Sequence, residues 1–328
     1  MGEFDLIARY FQRPQLNATD AVALGIGDDC ALLRPRPGMQ IAISCDMLVE
    51  GRHFFAGVDP ATLGHKALAV NLSDLAACGA KPLACTLALA LPDADEAWLS
   101  AFARGLFTLA DAHACPLIGG DTTRGPMNIC LTVFGEVPTA EGRSQALLRS
   151  GAQPGDDLWV SGTLGEARLA LQALQGKITL PPDVLRKTRA RLECPTPRIA
   201  LGLALRGVAS ACIDLSDGLV GDLGHILELS RCGATLHTAT ATDLLAAAAI
   251  QAGLSVEQRL ALVLSGGDDY ELLFTAPASA RAAVLAAGQQ ARTAITRIGT
   301  IDAEPGLRLV DAQGREVPNR YASFDHFA

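Results

Sequence analysis

Apolar runs that end on glycine and aspartate recur along the chain, and strand, acidic turn and helix alternate in both of its halves. A run that must be buried repeatedly ends on residues that must meet water or a ligand. Alternation of this kind restricts the fold to α+β or mixed α/β layers. Five clusters carry the pattern: Gly25-Ile26-Gly27-Asp28-Asp29, Ser44-Cys45-Asp46, Gly119-Gly120-Asp121-Thr122-Thr123, Asp214-Leu215-Ser216-Asp217-Gly218 and Ser265-Gly266-Gly267-Asp268-Asp269. One carboxylate beside a glycine makes an ordinary turn. Five in one chain suggest oxygen ligands gathered around hard cations.

A length of 328 residues is enough for a large core and favours two domains. The turn-rich stretch Arg149–Asp156 is the candidate boundary, giving an N-terminal domain over 1–148 and a C-terminal domain over 149–328. In the first, Phe4, Leu6, Ile7, Tyr10 and Phe11 follow helical spacing, and Val22–Ile26, Ile41–Ser44 and Leu83–Leu91 read as strands. The first two deliver their aspartates into following turns. Asp59-Pro60 starts a helix that stops at Gly79, and Asp93 is the expected cap of another, reaching about His113. In the second, Leu158–Val160, Ala211–Ile213 and Tyr270–Thr275 read as strands. Helices are expected from Glu166, over Leu219–Ser230 and over Ser255–Leu264. Pro181-Pro182 and Cys194–Pro197 read as loops.

Composition narrows the partners. A net charge of −8 with only four lysines (Lys66, Lys81, Lys177 and Lys187) argues against a nucleic-acid partner held through its phosphates. An acidic chain can still bind a polyphosphate when divalent cations lie between the two sets of negative charge. The longest apolar stretches, such as Leu83–Leu91, are too short to cross a bilayer. Glu3 and Asp5 stand where a secretory signal carries basic residues, so a cytoplasmic protein with no membrane partner is expected. Nine scattered cysteines without Cys-x-x-Cys spacing read as buried reduced thiols rather than disulfides or a zinc site.

Taken singly, the clusters stay ambiguous. Asp28-Asp29 suits an Asx-turn as well as a ligand pair. Asp74 sits late in an apolar helix with Asn71 three residues earlier on the same face, either facing solvent or aimed from a rigid element into a metal site. Gly119-Gly120-Asp121 permits close backbone approach, as in a phosphate site or a tight turn. Asp214 and Asp217, three apart at a helix start, can face one point, whereas capping needs only one. His53 alone reads as a loop histidine. No P-loop, protein-kinase set, His-Glu-x-x-His or Gly-x-Ser-x-Gly occurs.

In order, GIGDDCALL (Gly25–Leu33), KALAVNLSDLAA (Lys66–Ala77), LIGGDTTRG (Leu117–Gly125), IDLSDGL (Ile213–Leu219) and SGGDDYEL (Ser265–Leu272) resemble the thiamine-monophosphate kinases. These belong to the superfamily of aminoimidazole ribonucleotide synthetase and selenophosphate synthetase. The resemblance runs over nearly the whole chain. It implies an α+β, two-domain, aminoimidazole ribonucleotide synthetase-like fold, with N-terminal-domain strands forming a barrel across a homodimer. It also implies γ-phosphoryl transfer from ATP to thiamine monophosphate, assisted by several Mg2+ ions. By motif position, Asp29, Asp74 and Asp214 would bridge magnesium ions, with Ser44, Cys45 through its backbone oxygen, Asp46, Asp121 and Asp217 as further ligands. Gly120, Asp121, Arg149 and Ser216 would meet ATP; His53, Asp268 and Phe324 would meet the thiamine phosphate. No residue is expected as acid or base. Cys45 stands where threonine is expected, and Asp268 where glutamate is common. The alternatives are a non-catalytic ATP–Mg-binding homologue and a superfamily enzyme with another acceptor. Against the latter, Cys30, the first cysteine, lies inside GIGDDCALL rather than in the N-terminal Gly-rich loop of selenophosphate synthetase, and Asp325-His326-Phe327-Ala328 stands where the hydrogenase-maturation protein carries its C-terminal cysteine.

Overall fold

A short helix α1 (Glu3–Leu6) passes into a π-helical turn (Ile7–Phe11), where Phe11 is buried. The computed structural model to which they belong describes residues 2–13, 21–245 and 253–322. The chain falls into two units: Met1–Leu75 with Ala80–Gln145, and Ala76–Gly79 with Ala146–Ala328.

In the first unit, β1 (Val22–Leu24) and β2 (Leu32–Leu33) pair antiparallel around the Asp28-Asp29 turn. Next come β3 (Met39–Val49), α2 (Pro60–Ala77), β4 (Lys81–Leu91), α3 (Glu96–Ala112), β5 (Leu117–Arg124), β6 (Asn128–Ala140) and β7 (Arg143–Ser144). The sheet order is β3-β6-β4-β5, with β7 paired to β6. Only β4 and β5 run parallel, and α3 supplies the crossover such a pair requires. Asp59 Oδ1 accepts the Ala61 N–H at 2.9 Å ahead of α2. The helix ends before Gly79, at φ +62°. Asp95, not Asp93, caps α3, accepting the N–H groups of Ala97 and Trp98; Asp93 lies beyond reach of the first turn and instead meets Arg124 at 3.6 Å. Gly64 and Gly105 let α2 and α3 cross at backbone contact. A Cβ on Gly64 would lie 2.2 Å from the Phe102 carbonyl, and one on Gly105 1.8 Å from that of Ala61.

The second unit holds β8 (Asp156–Ser161), α4 (Glu166–Leu174), α5 (Pro182–Glu193), α6 (Ile199–Leu205), β9 (Ala211–Asp214), α7 (Leu219–Ser230), β10 (Gly233–His237) and α8 (Thr238–Asp243). It continues with α9 (Val256–Ser265), β11 (Leu272–Pro277), α10 (Arg281–Gln290), β12 (Ile295–Asp302), β13 (Gly306–Val310) and β14 (Glu316–Val317). Its seven strands run β14-β13-β10-β12-β8-β11-β9. Strand β8 is buried on both faces. Leu158 and Val160 join Leu169, Ile213, Leu223, Ile226 and Leu264 in the main core. On the other face Trp159 stacks on Phe274, and Asp157 pairs with Arg281 of α10 and Arg297 of β12. Pro181-Pro182 is not a loop but the start of α5, with Pro182 at a first-turn position where its missing N–H costs nothing.

All nine cysteines are unbonded. Cys85, Cys115, Cys212 and Cys232 are buried as expected, whereas Cys30 and Cys45 are exposed. No helix among the described residues is long and apolar enough to cross a membrane.

Candidate active site

In the first unit the Asp28-Asp29 turn, the Ile7–Phe11 turn, β4 and β5 enclose a cleft of about 810 Å³. Its lining includes Asp28, Asp29, Leu87, Gly120 and Asp121. Asp29 and Asp121 are exposed, so neither has to give up hydration before a ligand arrives. The Asp29 N–H donates to Asp28 Oδ1 at 2.9 Å, an Asx-type contact that shapes the turn. The Gly119–Thr123 cluster is part of β5 rather than a turn, because Gly119–Arg124 continue the parallel ladder with Thr86–Leu91. Gly120 lies at φ +144°, and a Cβ there would sit 1.8 Å from the Leu87 carbonyl. The close approach made possible by this glycine is to β4.

Ser44, Cys45 and Asp46 likewise lie inside a strand. Unbroken pairing of β3 with β6 from Met39 to Val49 carries the chain through them in extended form. Period-two alternation then sorts their side chains. The Ser44 hydroxyl donates to Asp74 Oδ2 of α2 at 2.5 Å. The Asp46 N–H donates to Asn71 Oδ1 at 3.0 Å, and buried Asn71 donates in turn to the Ala67 carbonyl. The exposed thiol of Cys45 lies 3.4 Å from that of Cys130. Asp74 is thus a helix residue turned to a strand, not a solvent-facing one. His53, just beyond β3, accepts the Val49 N–H on Nδ1 at 3.0 Å.

In the second unit Asp214 is the buried last residue of β9, with the partly exposed Ser216 and Asp217 in the turn after it. Neither Asp214 nor Asp217 caps the following helix. Asp222, in the first turn of that helix, reaches back instead: its Oδ2 accepts the N–H groups of Asp217 at 3.2 Å and of the N-cap residue Gly218 at 3.1 Å. Burial, with the nearby Asp217 charge, pushes the Asp222 carboxyl up to about 7. The signal for it was a carboxylate on the apolar stripe Leu219, Asp222, Leu223, Ile226. Arg149 is exposed, and its carbonyl accepts the Ser230 hydroxyl.

The Asp214 and Asp268 clusters are joined through the backbone. The Asp268 N–H donates to the Ser216 carbonyl at 2.9 Å, that of Tyr270 to Leu215 at 2.8 Å, and that of Leu215 to Glu271 at 2.8 Å. Asp268 (φ +65°) and Tyr270 (φ +50°) are both left-handed, so β11 starts at Leu272 rather than Tyr270. Buried Asp269 accepts the Gly165 N–H on both oxygens, at 3.1 and 2.9 Å, and burial raises its carboxyl well above the usual range. Glu271, fully buried, takes Arg191 at 2.8 Å, Arg198 Nε at 2.6 Å and the Ser161 hydroxyl at 2.6 Å. Sequence reasoning missed these partners because α5 and α6 were not foreseen. Phe324 lies outside the described residues.

The structure therefore brings Asp29, Gly120 and Asp121 to one cleft, Ser44 to Asp74, and Ser216 to Asp268. Among the described residues no three His, Cys, Asp or Glu side chains form a group that could hold a metal ion by themselves.

Residues 27–137 match the family model of AIR synthase related protein, N-terminal domain, and residues 153–312 that of the C-terminal domain. The chain is 47% identical over 332 residues to thiamine-monophosphate kinase of Escherichia coli (strain K12), covering 100% of this chain and 98% of that protein. It is similar to the crystal structure of thiamine-monophosphate kinase from Stenotrophomonas maltophilia K279a, with a TM-score of 0.86, 44% identity, and 97% and 98% of the two chains covered. It is also similar to AaThiL complexed with AMPPCP and TMP, with a TM-score of 0.75, 26% identity, and 90% and 89% covered. The chain belongs to the AIR synthase related proteins and, among them, to the thiamine-monophosphate kinase family of enzymes.

Proposed function

We propose that this chain transfers the γ-phosphoryl group of ATP directly to thiamine monophosphate, giving thiamine diphosphate and ADP, the last step in making that diphosphate. The observation that carries the reading is the cleft on which the exposed carboxylates of Asp29 and Asp121 stand together beside Gly120. The likeness to AaThiL complexed with AMPPCP and TMP supports the choice of donor and acceptor.

The donor set suits magnesium, which takes hard oxygen ligands. Magnesium is commonly held by one or two carboxylates, substrate phosphates and water, without an all-protein cage. Asp29, Ser44, Asp46, Asp74, Asp121, Asp214 and Asp217 would hold it. The Cys45 thiol is turned to Cys130, so that residue would contribute only its backbone oxygen. Gly120, Asp121, Arg149 and Ser216 would meet ATP, and His53, Asp268 and Phe324 the thiamine phosphate. Residues 1–148 would serve nucleotide, metal and dimer contacts, and residues 149–328 would complete the site.

The acceptor is a phosphate monoester with a second pKa of about 6, already anionic near neutral pH, so no general base is required. The obstacle is repulsion between the reacting phosphates, roughly 4 kcal/mol per pair of unit charges ~4 Å apart at an effective dielectric of 20. Magnesium, when bound, offsets that charge. The aspartates would fix where the charge is offset, and contacts to ATP and to the acceptor would align donor with acceptor.

A homodimer is part of the reading. On the face of β3 away from α2, Ile41, Ile43, Cys45 and Met47 are exposed, Ile43 by 63% and Met47 by 51%. A contiguous apolar face of this kind calls for a covering partner, and a second copy supplies one in a barrel shared between subunits.

Purified protein incubated with ATP, magnesium and thiamine monophosphate should form thiamine diphosphate, with thiamine as the control acceptor. No product, or equal use of thiamine, would sink the reading. A phosphoenzyme trapped from γ-labelled ATP would overturn direct transfer.

A further inference from the structure

The segment that carries Asp268 is held in a conformation it would not adopt alone. Asp268 and Tyr270 are two of six non-glycine residues with positive φ among those described. A left-handed tyrosine persists only where its surroundings over-determine it. Here the alternate residues do so. Asp269 is tied to the first turn of α4 through the Gly165 N–H. Glu271 is tied to Arg191 of α5, to Arg198 at the start of α6 and to Ser161 of β8. The Ser161 hydroxyl also accepts the Leu272 N–H at 2.8 Å, which closes the clamp on the strand itself. Gly162 leaves the room: a Cβ there would fall 2.1 Å from Glu271 Oε1. Tyr270 between the two anchors and Asp268 just before them stay partly exposed, and their N–H groups bond the Leu215–Ser216 backbone.

We propose that Glu271, clamped by Arg191 and Arg198, is a positioning residue for acceptor recognition. It holds the 266–271 segment, with Asp268 and Tyr270 left-handed, so that Asp268 is presented to the thiamine phosphate. The inference rests on the reading of Asp268 as an acceptor contact. A buried carboxylate shared by two guanidinium groups and a hydroxyl has little freedom to shift. An error in its place passes through three peptide units to Asp268, where displacement of the order of 1 Å costs about a hundredfold in a tightly positioned reaction.

The test uses the full chain with Arg191→Met, Arg191→Lys, Glu271→Gln and Asp268→Asn. Arg191→Met leaves the Arg198 fork in place and is the variant best able to fold; Glu271→Gln keeps the shape and removes the charge. Each is assayed with thiamine monophosphate varied at saturating ATP, then with ATP varied at saturating acceptor, beside thermal unfolding. Arg191→Met should raise KM for the acceptor by about tenfold and leave KM for ATP within about twofold. Arg191→Lys should recover part of the loss. Equal changes in both KM values, or a lowered unfolding temperature with neither KM moved, would overturn the proposal and leave the clamp a stabilising ion pair. Asp268→Asn separates the two readings. If it is silent while Arg191→Met raises the acceptor KM, the clamp positions another residue of the segment and the Asp268 reading fails. If Asp268→Asn raises the acceptor KM and both clamp variants are silent, the clamp proposal fails.

Discussion

Asp29 and Asp74 reach their places by different means, one from an exposed turn and one from a packed helix. Asp74 accepts the Ser44 hydroxyl, and asparagine can still accept that bond. Asp29→Asn and Asp74→Asn should therefore keep the fold and lower kcat by about a hundredfold or more, because on the proposed reading each removes a carboxylate that would hold the magnesium offsetting phosphate charge. Near-normal turnover in both would refute the metal assignment. Asp157 gives a pH test of stability. The Arg281 hydrogen bond, with Arg297 adding, holds its carboxyl below the ordinary 3.8. A depressed folded value means that the stabilisation is present above pH 3.8 and fades as pH falls through the folded value. Wild type should exceed Asp157→Asn in urea midpoint at pH 7, and the gap should close towards pH 3; an unchanged gap would refute the linkage.

Gly120 shows how a close backbone approach can be foreseen and its partner misjudged. The glycine pair beside Asp121 resembles a phosphate turn, yet it lies in β5 with Gly120 against the Leu87 backbone of β4. Gly120→Ala should lower stability by about 2 kcal/mol or more, measured by denaturant unfolding without nucleotide. A wild-type midpoint would refute that reading. Helix α7 was legible to the residue, because its apolar stripe begins at Leu219 and its last turn ends at Ser230. Helix α5 was not, since Pro181-Pro182 resembles a loop and only its neighbours show it to be a helix start. Strand β3 was underestimated because its outer face, Ile43, Cys45 and Met47, lacks the polar residues that make a half-buried strand easy to recognise. The aspartates were visible as clusters; Arg191 and Arg198, which hold Glu271, were not, since long-range partners leave no local pattern.

At the scale of the molecule, the proposed dimer rests on that outer face of β3. Ile43→Asp should convert a dimer into monomers, read by light scattering after gel filtration, while an Ile43→Val control stays dimeric; a monomeric wild type would overturn the shared-barrel reading. The division of the chain has another consequence. Ala76–Gly79, at the end of α2, belong with the second unit, although the residues on either side belong with the first. A Cβ on Gly202 of α6 would meet the Ala76 carbonyl at 2.0 Å, and the Leu147 N–H donates to the Cys78 carbonyl. The halves are therefore not cassettes that a gene fusion could exchange at one joint. A transplanted second half would leave behind four residues of its own body, so recombination within this lineage has to carry both halves together.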